Sequence, residues 1–131
     1  MTRFVVDPSA VAHLASKRFE VSADHELLAP TLLRSQTLSL LHEAVHRGEL
    51  AADVALNILE RIWRMRIRLL GDAVLRRRAW EVAEQMGWAD TYNAEYVALT
   101  QLQADGFVTR DAQLARSVKG IVATASIDAL R

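Results

Sequence analysis

The sequence contains no cysteine, which excludes disulfide bonds, thiolate zinc sites and cysteine nucleophiles and fits a reducing compartment. It has no apolar run long enough to cross a membrane. Arg3 places a charge too early for the core of a secretory signal peptide. We therefore expect a cytoplasmic protein with no membrane association.

Internal repeats, low-complexity segments and linkers are also absent. The chain has 131 residues, of which 51% are apolar, and this is enough for one substantial hydrophobic core. We expect a single domain over residues 1–131.

The formal net charge is zero, but the charges are unevenly distributed. Between residues 61 and 78, seven arginines stand against one acid, Asp72. The arginines are Arg61, Arg64, Arg66, Arg68, Arg76, Arg77 and Arg78. They could form a solvated face whose side-chain stems cover apolar surface, or a surface for phosphates or an acidic partner. The segment has no aromatic residues interleaved in an RNA-binding pattern, so it does not identify a ligand.

Short apolar runs alternate with helix-like segments along the chain. The pattern predicts strands over 4–6, 66–70, 106–109 and 121–124. It predicts helices over 10–17, 31–47, 51–64, 73–86, 92–104 and 111–117, with residues 20–26 as a loop. Thr31, Asp72 and Thr91 are predicted N-caps, and Gly48 and Gly87 are predicted helix ends. This alternation is typical of an α/β sandwich with a mostly parallel sheet.

Two aspartates follow predicted strands at the same kind of position. Asp7 ends the apolar run Phe4-Val5-Val6, and Asp111 follows the run over 106–110. The carboxyl ends of strands form the ligand crevice of an open parallel sheet. Two carboxylates brought there from opposite ends of the chain predict a site for a hard divalent cation.

Two amides are candidates for the same crevice. Gln36 shares a helix face with Leu33 and Leu40, so it is either an amide hydrogen-bonded at the core edge or a weak ligand group. Asn93 lies in the first turn of a predicted helix, where its side-chain oxygen could face a metal. Asp90 stands just before that helix, and capping is the alternative explanation for its position.

The segment His42-Glu43-Ala44-Val45-His46 matches the H-E-x-x-H pattern of zinc peptidases. Histidines at i and i+4 share a helix face and can bind one zinc ion. Gly48, however, ends the helix almost at once, and the three polar residues lie mostly off the inward face. We expect His42 and His46 to be exposed and not to bind zinc.

Four segments together resemble the PIN domains of VapC toxins from type II toxin–antitoxin pairs. Val5 to Ala10 resembles the opening "VVDxSA", and Leu28 to Gln36 resembles a second motif that normally ends in Glu. Tyr92 to Leu99 resembles the "YDAxYVAL" helix, and Thr109 to Asp111 resembles the closing "T-x-D". The likeness covers nearly the whole chain, in the family's order.

The resemblance implies a three-layer α/β/α sandwich and a Mg²⁺- or Mn²⁺-dependent ribonuclease. It also implies a homodimer and inhibition by a VapB-type antitoxin. Asp7 and Asp111 match acidic positions of the family's metal site. Ser9, Thr109 and Arg110 would be crevice neighbours that meet the RNA substrate.

The sequence departs from the family pattern at two acidic positions, which hold Gln36 and Asn93. Each lost charge removes on the order of 5 kcal/mol of attraction to a divalent ion before solvation is counted. Three explanations remain open. The chain is a weak or inactive nuclease, or Asp90 supplies the missing carboxylate, or one amide is an engineered change that silences a toxic enzyme. The alternative from a different class is a non-catalytic protein of the same fold that binds RNA or antitoxin.

Overall fold

Five parallel strands form the centre of the protein, in the spatial order β3-β2-β1-β4-β5. The computed structural model describes all residues, 1–131. The strands are β1 (Thr2–Val6), β2 (His25–Pro30), β3 (Ile67–Leu70), β4 (Gly106–Val108) and β5 (Thr124–Ala125). The helices are α1 (Pro8–Ser16), α2 (Leu33–His46), α3 (Ala52–Arg64), α4 (Ala73–Met86), α5 (Tyr92–Gln103) and α6 (Ala112–Val118), followed by a 3₁₀ helix (Ile127–Leu130).

The central strand β1 pairs with β2 on one side and β4 on the other. Val5 is in register with Leu28 and Phe107, and all three side chains are fully buried. A parallel strand covered on both faces needs a continuous apolar run rather than alternation, and this explains the sequence of β1. No helix is long and apolar enough to span a membrane.

The helices form two layers, one on each face of the sheet. Helices α1, α2 and α3 pack against one another, whereas α5 packs against α4 and against β1, β2 and β4. Right-handed crossovers explain this division, because β1 to β3 proceed in one direction across the sheet and β4 to β5 in the other. The predicted α/β/α sandwich with a parallel sheet is confirmed.

The prediction of a loop over residues 20–26, with no strand after it, was wrong because β2 occupies His25–Pro30. His, Glu, Ala and Pro are poor strand formers, so the local sequence does not predict this strand. Pairing with β1 and β3 on both sides overrides that preference. Pro30 is tolerated because it lies at the end of the strand.

Other boundaries also differ from the prediction. Helix α2 begins at Leu33, and Thr31 instead donates its backbone N–H to Leu70 O at 3.1 Å. Thr91 precedes α5 but makes no side-chain capping bond. The last strand is two residues long and starts at Thr124, because Ile121 and Val122 turn back to Val118 O.

Helix α1 ends with an arginine in a backbone conformation that favours glycine. Arg18 has φ +50°, its N–H donates to Ala15 O at 3.3 Å, and the Phe19 N–H donates to Leu14 O at 2.9 Å. This pair of bonds is the Schellman motif, in which the left-handed position is usually Gly. A non-glycine residue there costs about 1 kcal/mol or more.

The capping bonds give a stability prediction. Asp72 Oδ1 accepts from Leu75 N at 2.8 Å at the start of α4, as expected. Asp72→Ala should therefore lower the free energy of unfolding by about 1 kcal/mol in urea denaturation. Thr91→Ala, which removes no capping bond, is the matched control and should change it by less than half as much. Equal losses in the two variants would contradict this account of the helix starts.

Candidate active site

Asp7 lies at the carboxyl end of β1 and caps α1. Its Oδ1 accepts from Ser9 Oγ at 2.7 Å and from Ala10 N at 2.9 Å. Its Oδ2 accepts from Thr109 Oγ1 at 2.5 Å, across from the end of β4. The residue is only 6% exposed, so its carboxylate is held in one orientation.

The surroundings of Asp7 disfavour its negative charge. Burial raises the pKa of Asp7 most, and the neighbouring charge of Asp111 raises it further. The hydrogen bonds from Thr109, Ala10 and Ser9 oppose this rise without overcoming it. Asp111 is therefore close enough to Asp7 for their charges to repel.

Asp111 repeats the arrangement of Asp7 at the next strand. It caps α6, where its Oδ1 accepts from Leu114 N at 3.0 Å. Its backbone N–H donates to Thr109 Oγ1 at 3.1 Å, so Thr109 connects the two aspartates directly. Unlike Asp7, Asp111 is exposed, which leaves its other carboxylate oxygen open to a ligand.

Asn93 lies in the first turn of α5 and is exposed. It shares a concavity of about 200 Å³ with Asp111, between α5 and the start of α6. Trp88 and Gln113 line the same concavity, but Asp90 does not. Asp90 accepts from Tyr92 N at 3.3 Å, a local hydrogen bond just before α5.

Gln36 is connected to the site through Tyr96, a residue that the sequence reasoning missed. The Tyr96 hydroxyl donates to Gln36 Oε1 at 2.6 Å. Tyr96 is 1% exposed, and burial, then Asp7, then Glu95 raise its pKa far above the usual range. Tyr96 thus contacts Gln36 directly and is close enough to Asp7 for the aspartate charge to raise its pKa. Its position one turn after Asn93 was the available sequence signal.

Arg110 is joined to the site through its backbone and to helix α1 through its side chain. Its N–H donates to Ser9 Oγ at 3.0 Å, and its guanidinium lies 2.6 Å from His13 Nδ1. Arginine has no acceptor, so His13 Nδ1 must accept in this contact. Burial, then Arg110, then Lys17 lower the pKa of His13, which agrees with an imidazole that accepts from Arg110. Sequence reasoning missed His13, four residues after Ser9 on α1.

The sequence matches no family model. It is 30% identical over 129 residues to the ribonuclease VapC3 of Pyrobaculum aerophilum, covering 92% of this chain and 98% of that protein. The chain belongs to the VapC family. The Pyrobaculum aerophilum protein PAE2754 has a similar structure, with a TM-score of 0.76, 22% identity and coverage of 98% of this chain and 92% of that chain.

A second similar structure is that of VapBC2 from Rickettsia felis bound to a DNA fragment from its promoter. It has a TM-score of 0.59 and 12% identity, over 95% of this VapC-family chain and 98% of that chain. At these identities both structures support the fold alone.

The donor atoms at this VapC site fit a hard divalent cation. Three hydrogen bonds occupy Asp7, which leaves about one lone pair on its Oδ2. The second oxygen of Asp111 and the Asn93 amide make no hydrogen bonds. Mg²⁺ commonly takes one or two protein carboxylates and fills its other positions with water and substrate phosphate. A cation would also relieve the repulsion between the two aspartates.

The H-E-x-x-H segment lies on α2, where His42 and His46 are exposed as expected. Nowhere in the structure do three or more His, Asp or Glu side chains form a group able to hold a metal. A peptidase zinc site needs three protein ligands, so the segment lacks a third. The nearby Glu43 faces Arg47 at 3.8 Å.

The buried charge of Asp7 gives a prediction about stability and pH. Because the folded pKa is raised, this carboxyl favours folding below its unfolded pKa and loses that contribution as pH rises through the folded pKa. Asp7→Asn keeps a capping oxygen without the charge. We expect it to raise the free energy of unfolding at pH 7 by on the order of 1 kcal/mol.

The measurement is thermal unfolding in EDTA at several pH values. The gain should shrink as pH falls toward the ordinary pKa of an aspartate, about 3.9. Asp53→Asn, at an exposed position on α3, is the control and should give no gain. Because the variant also replaces the oxygen that accepts from Thr109, the decisive result is the pH dependence: a stability difference from the parent protein that does not change with pH would contradict the raised pKa of Asp7.

Proposed function

We propose that this protein is a metal-dependent endoribonuclease toxin with a weakened site. The observation that carries the proposal is the buried Asp7 carboxylate, oriented by Ser9 and Thr109 beside Asp111 at the strand ends. Membership of the VapC family supports RNA as the substrate, since the relative in Pyrobaculum aerophilum is a ribonuclease.

Asp7, Asp111 and Asn93 would hold a Mg²⁺ or Mn²⁺ ion. The ion would supply Lewis-acid stabilisation of the negative charge that develops at the phosphate during hydrolysis. Ser9 and Thr109 hold the Asp7 carboxylate in place, and the Thr109 hydroxyl also fixes the backbone of Asp111.

The remaining polar groups would position the substrate. Arg110 is exposed beside Ser9 and would neutralise a phosphate oxygen. Gln36 already accepts from Tyr96, so it would act on water or RNA through its free amide N–H groups. With neutral Gln36 and Asn93, the site has two carboxylates, which supports weak ion binding and slow turnover.

We also propose a VapB-type antitoxin and a second copy of this chain as protein partners. Membership of the VapC family supports the antitoxin, and VapBC2 of Rickettsia felis has a similar fold. Exposed apolar side chains offer surfaces for both contacts. They are Leu38, Val54, Leu56, Trp63, Val74 and Trp80.

The alternative is a VapC-family protein that binds RNA or antitoxin without cleaving RNA. The absence of any group of three carboxylates or histidines favours this second candidate. It predicts RNA binding with no cleavage that depends on Asp7.

Restoring charge at the two amides separates these candidates. We expect Asn93→Asp to raise Mg²⁺ or Mn²⁺ affinity and RNA cleavage about tenfold or more, because it adds a carboxylate to the concavity that holds Asp111. Gln36→Glu should do less, because Tyr96 already occupies this side chain. Cleavage of a labelled RNA and ion titrations measure both effects.

Asn57→Asp, at the only other asparagine of the chain and exposed on α3, is the matched control and should have no effect. Any gain in Asn93→Asp should disappear when Asp7→Ala is added. If no variant cleaves RNA while folding and RNA binding persist, the non-catalytic candidate is favoured. Strong Asp7-dependent cleavage by the unmodified chain would show that the amides do not weaken the site.

A further inference from the structure

A second concavity begins beside the aspartates and follows the end of α1 toward the 3₁₀ helix. It has a volume of about 750 Å³ and differs from the Asn93 concavity in its charge. Its charged lining consists of Lys17, Arg18, Arg110 and Arg131, with Glu20 and Asp128. We call this surface the basic groove.

The basic groove is continuous with the aspartate site. Ser9, His13 and Lys17 are spaced four residues apart, so they form one stripe along α1 and its end. Ser9 touches Asp7, Arg110 bonds both Ser9 and His13, and Lys17 follows one turn later. The stripe is about 12 Å long, enough for more than one phosphate of a nucleic acid strand.

Most of the positive charge in the groove is not neutralised by the protein. Lys17, Arg18 and Arg110 form no ion pair with a carboxylate, and the partner of Arg110 is a neutral imidazole. Asp128 faces Arg131 at 3.5 Å, which leaves Glu20 as the only other acid. The chain as a whole has no net charge, so the groove is a local excess of cations.

The groove is also poor in apolar surface. Two of its ten lining residues are hydrophobic, Phe19 and Ile127. Arg131 lies over the Phe19 ring at 4.5 Å from its centre, so that ring is already covered. An amphipathic protein segment would find little to bury here, whereas a chain of phosphates matches unpaired cations in a row.

The position of Arg18 supports the same conclusion. It occupies the left-handed end of α1, where glycine or asparagine would be less strained, and it lines the groove. An arginine at this position adds a cation next to Lys17 in spite of the backbone strain.

His13 keeps Arg110 available. Asp111 is the next residue and has a free carboxylate oxygen, so an unrestrained Arg110 could pair with it and block both groups. The contact of 2.6 Å to His13 Nδ1 directs the guanidinium toward α1 and away from the aspartates.

We propose that the basic groove binds backbone phosphates of the RNA strand on the α1 side of Asp7, with His13 as the positioning residue for Arg110. This rests on the proposed nuclease function, because RNA is the substrate assumed. The phosphate to be cleaved would lie at the aspartates, and the strand would continue along Arg110, Lys17 and Arg18.

The test measures the salt dependence of RNA binding without cleavage. A labelled single-stranded oligoribonucleotide is titrated in EDTA by fluorescence anisotropy, from low to moderate salt. Lys17→Gln combined with Arg18→Asn removes two charges, and asparagine tolerates the backbone conformation at position 18. The slope of log affinity against log salt should fall by about 1.4, since each phosphate contact on a single strand contributes about 0.7.

The matched control combines Arg66→Gln with Arg77→Gln, two exposed arginines outside the groove. It removes the same charge and should leave the slope nearly unchanged. Three results would overturn the proposal. They are equal salt slopes for the two double variants, a groove variant with the slope of the parent protein, and a parent protein that does not bind RNA. The proposal would also be overturned if the groove variant bound RNA like the parent protein but no longer bound an oligoglutamate peptide. The groove would then bind an acidic protein segment.

Two substitutions at position 13 test the positioning role. His13→Gln keeps an acceptor for Arg110 and should retain the salt slope of the parent protein. His13→Leu should lose about one phosphate contact, which lowers the slope by about 0.7. Equal slopes for the two variants would overturn this role. RNA binding is measured in EDTA, so the groove can be tested even if the protein does not cleave RNA. Conversely, Asp7-dependent cleavage can be tested even if the groove does not bind RNA.

Discussion

The hydrogen bond from the Thr109 hydroxyl to the buried carboxylate of Asp7 is the contact on which the site depends. It joins residues 102 positions apart and connects the ends of the two neighbouring strands β1 and β4. The same hydroxyl accepts from the backbone of Asp111, so one threonine sets the relation between both aspartates. Without it, Asp7 would remain a local helix cap, and Asp111 would be oriented only by α6.

This arrangement keeps a charge where solvent cannot stabilise it. Burial and the neighbouring Asp111 both raise the pKa of Asp7, and its three hydrogen bonds offset this only in part. Such a site is electrostatically strained when empty and favours a cation or a substrate that brings one. The two amides reduce the strain, since carboxylates at positions 36 and 93 would add negative charge. The same amides that are proposed to weaken ion binding would therefore make the metal-free fold easier to maintain.

The surroundings of the aspartates are divided by charge. On the α5 side, Asn93, Trp88 and Gln113 form a concavity in which Asp111 is the only charged residue. On the α1 side, Lys17, Arg18 and Arg110 present cations that no carboxylate pairs. The Arg-rich segment 61–78 is partly neutralised, because Arg61 donates to Ala15 O and Arg68 and Arg78 face Glu26 and Glu81. Residues far apart in the sequence, by contrast, form the basic groove only because the fold brings them together.

The sequence alone determined what depends on near neighbours. The aspartate caps at Asp7, Asp72 and Asp111 bond within three residues, and the helices α3, α4 and α5 follow from apolar spacing, with Asp72 and Gly87 as end signals of α4. The tertiary structure decided the rest. Strand β2 exists because two neighbours pair with it, and Tyr96 reaches Gln36 across 60 residues. The contact of Arg110 with His13 spans 97 residues and depends on the strand order. Capping is a property of a few adjacent residues, whereas these contacts exist only after the sheet has assembled.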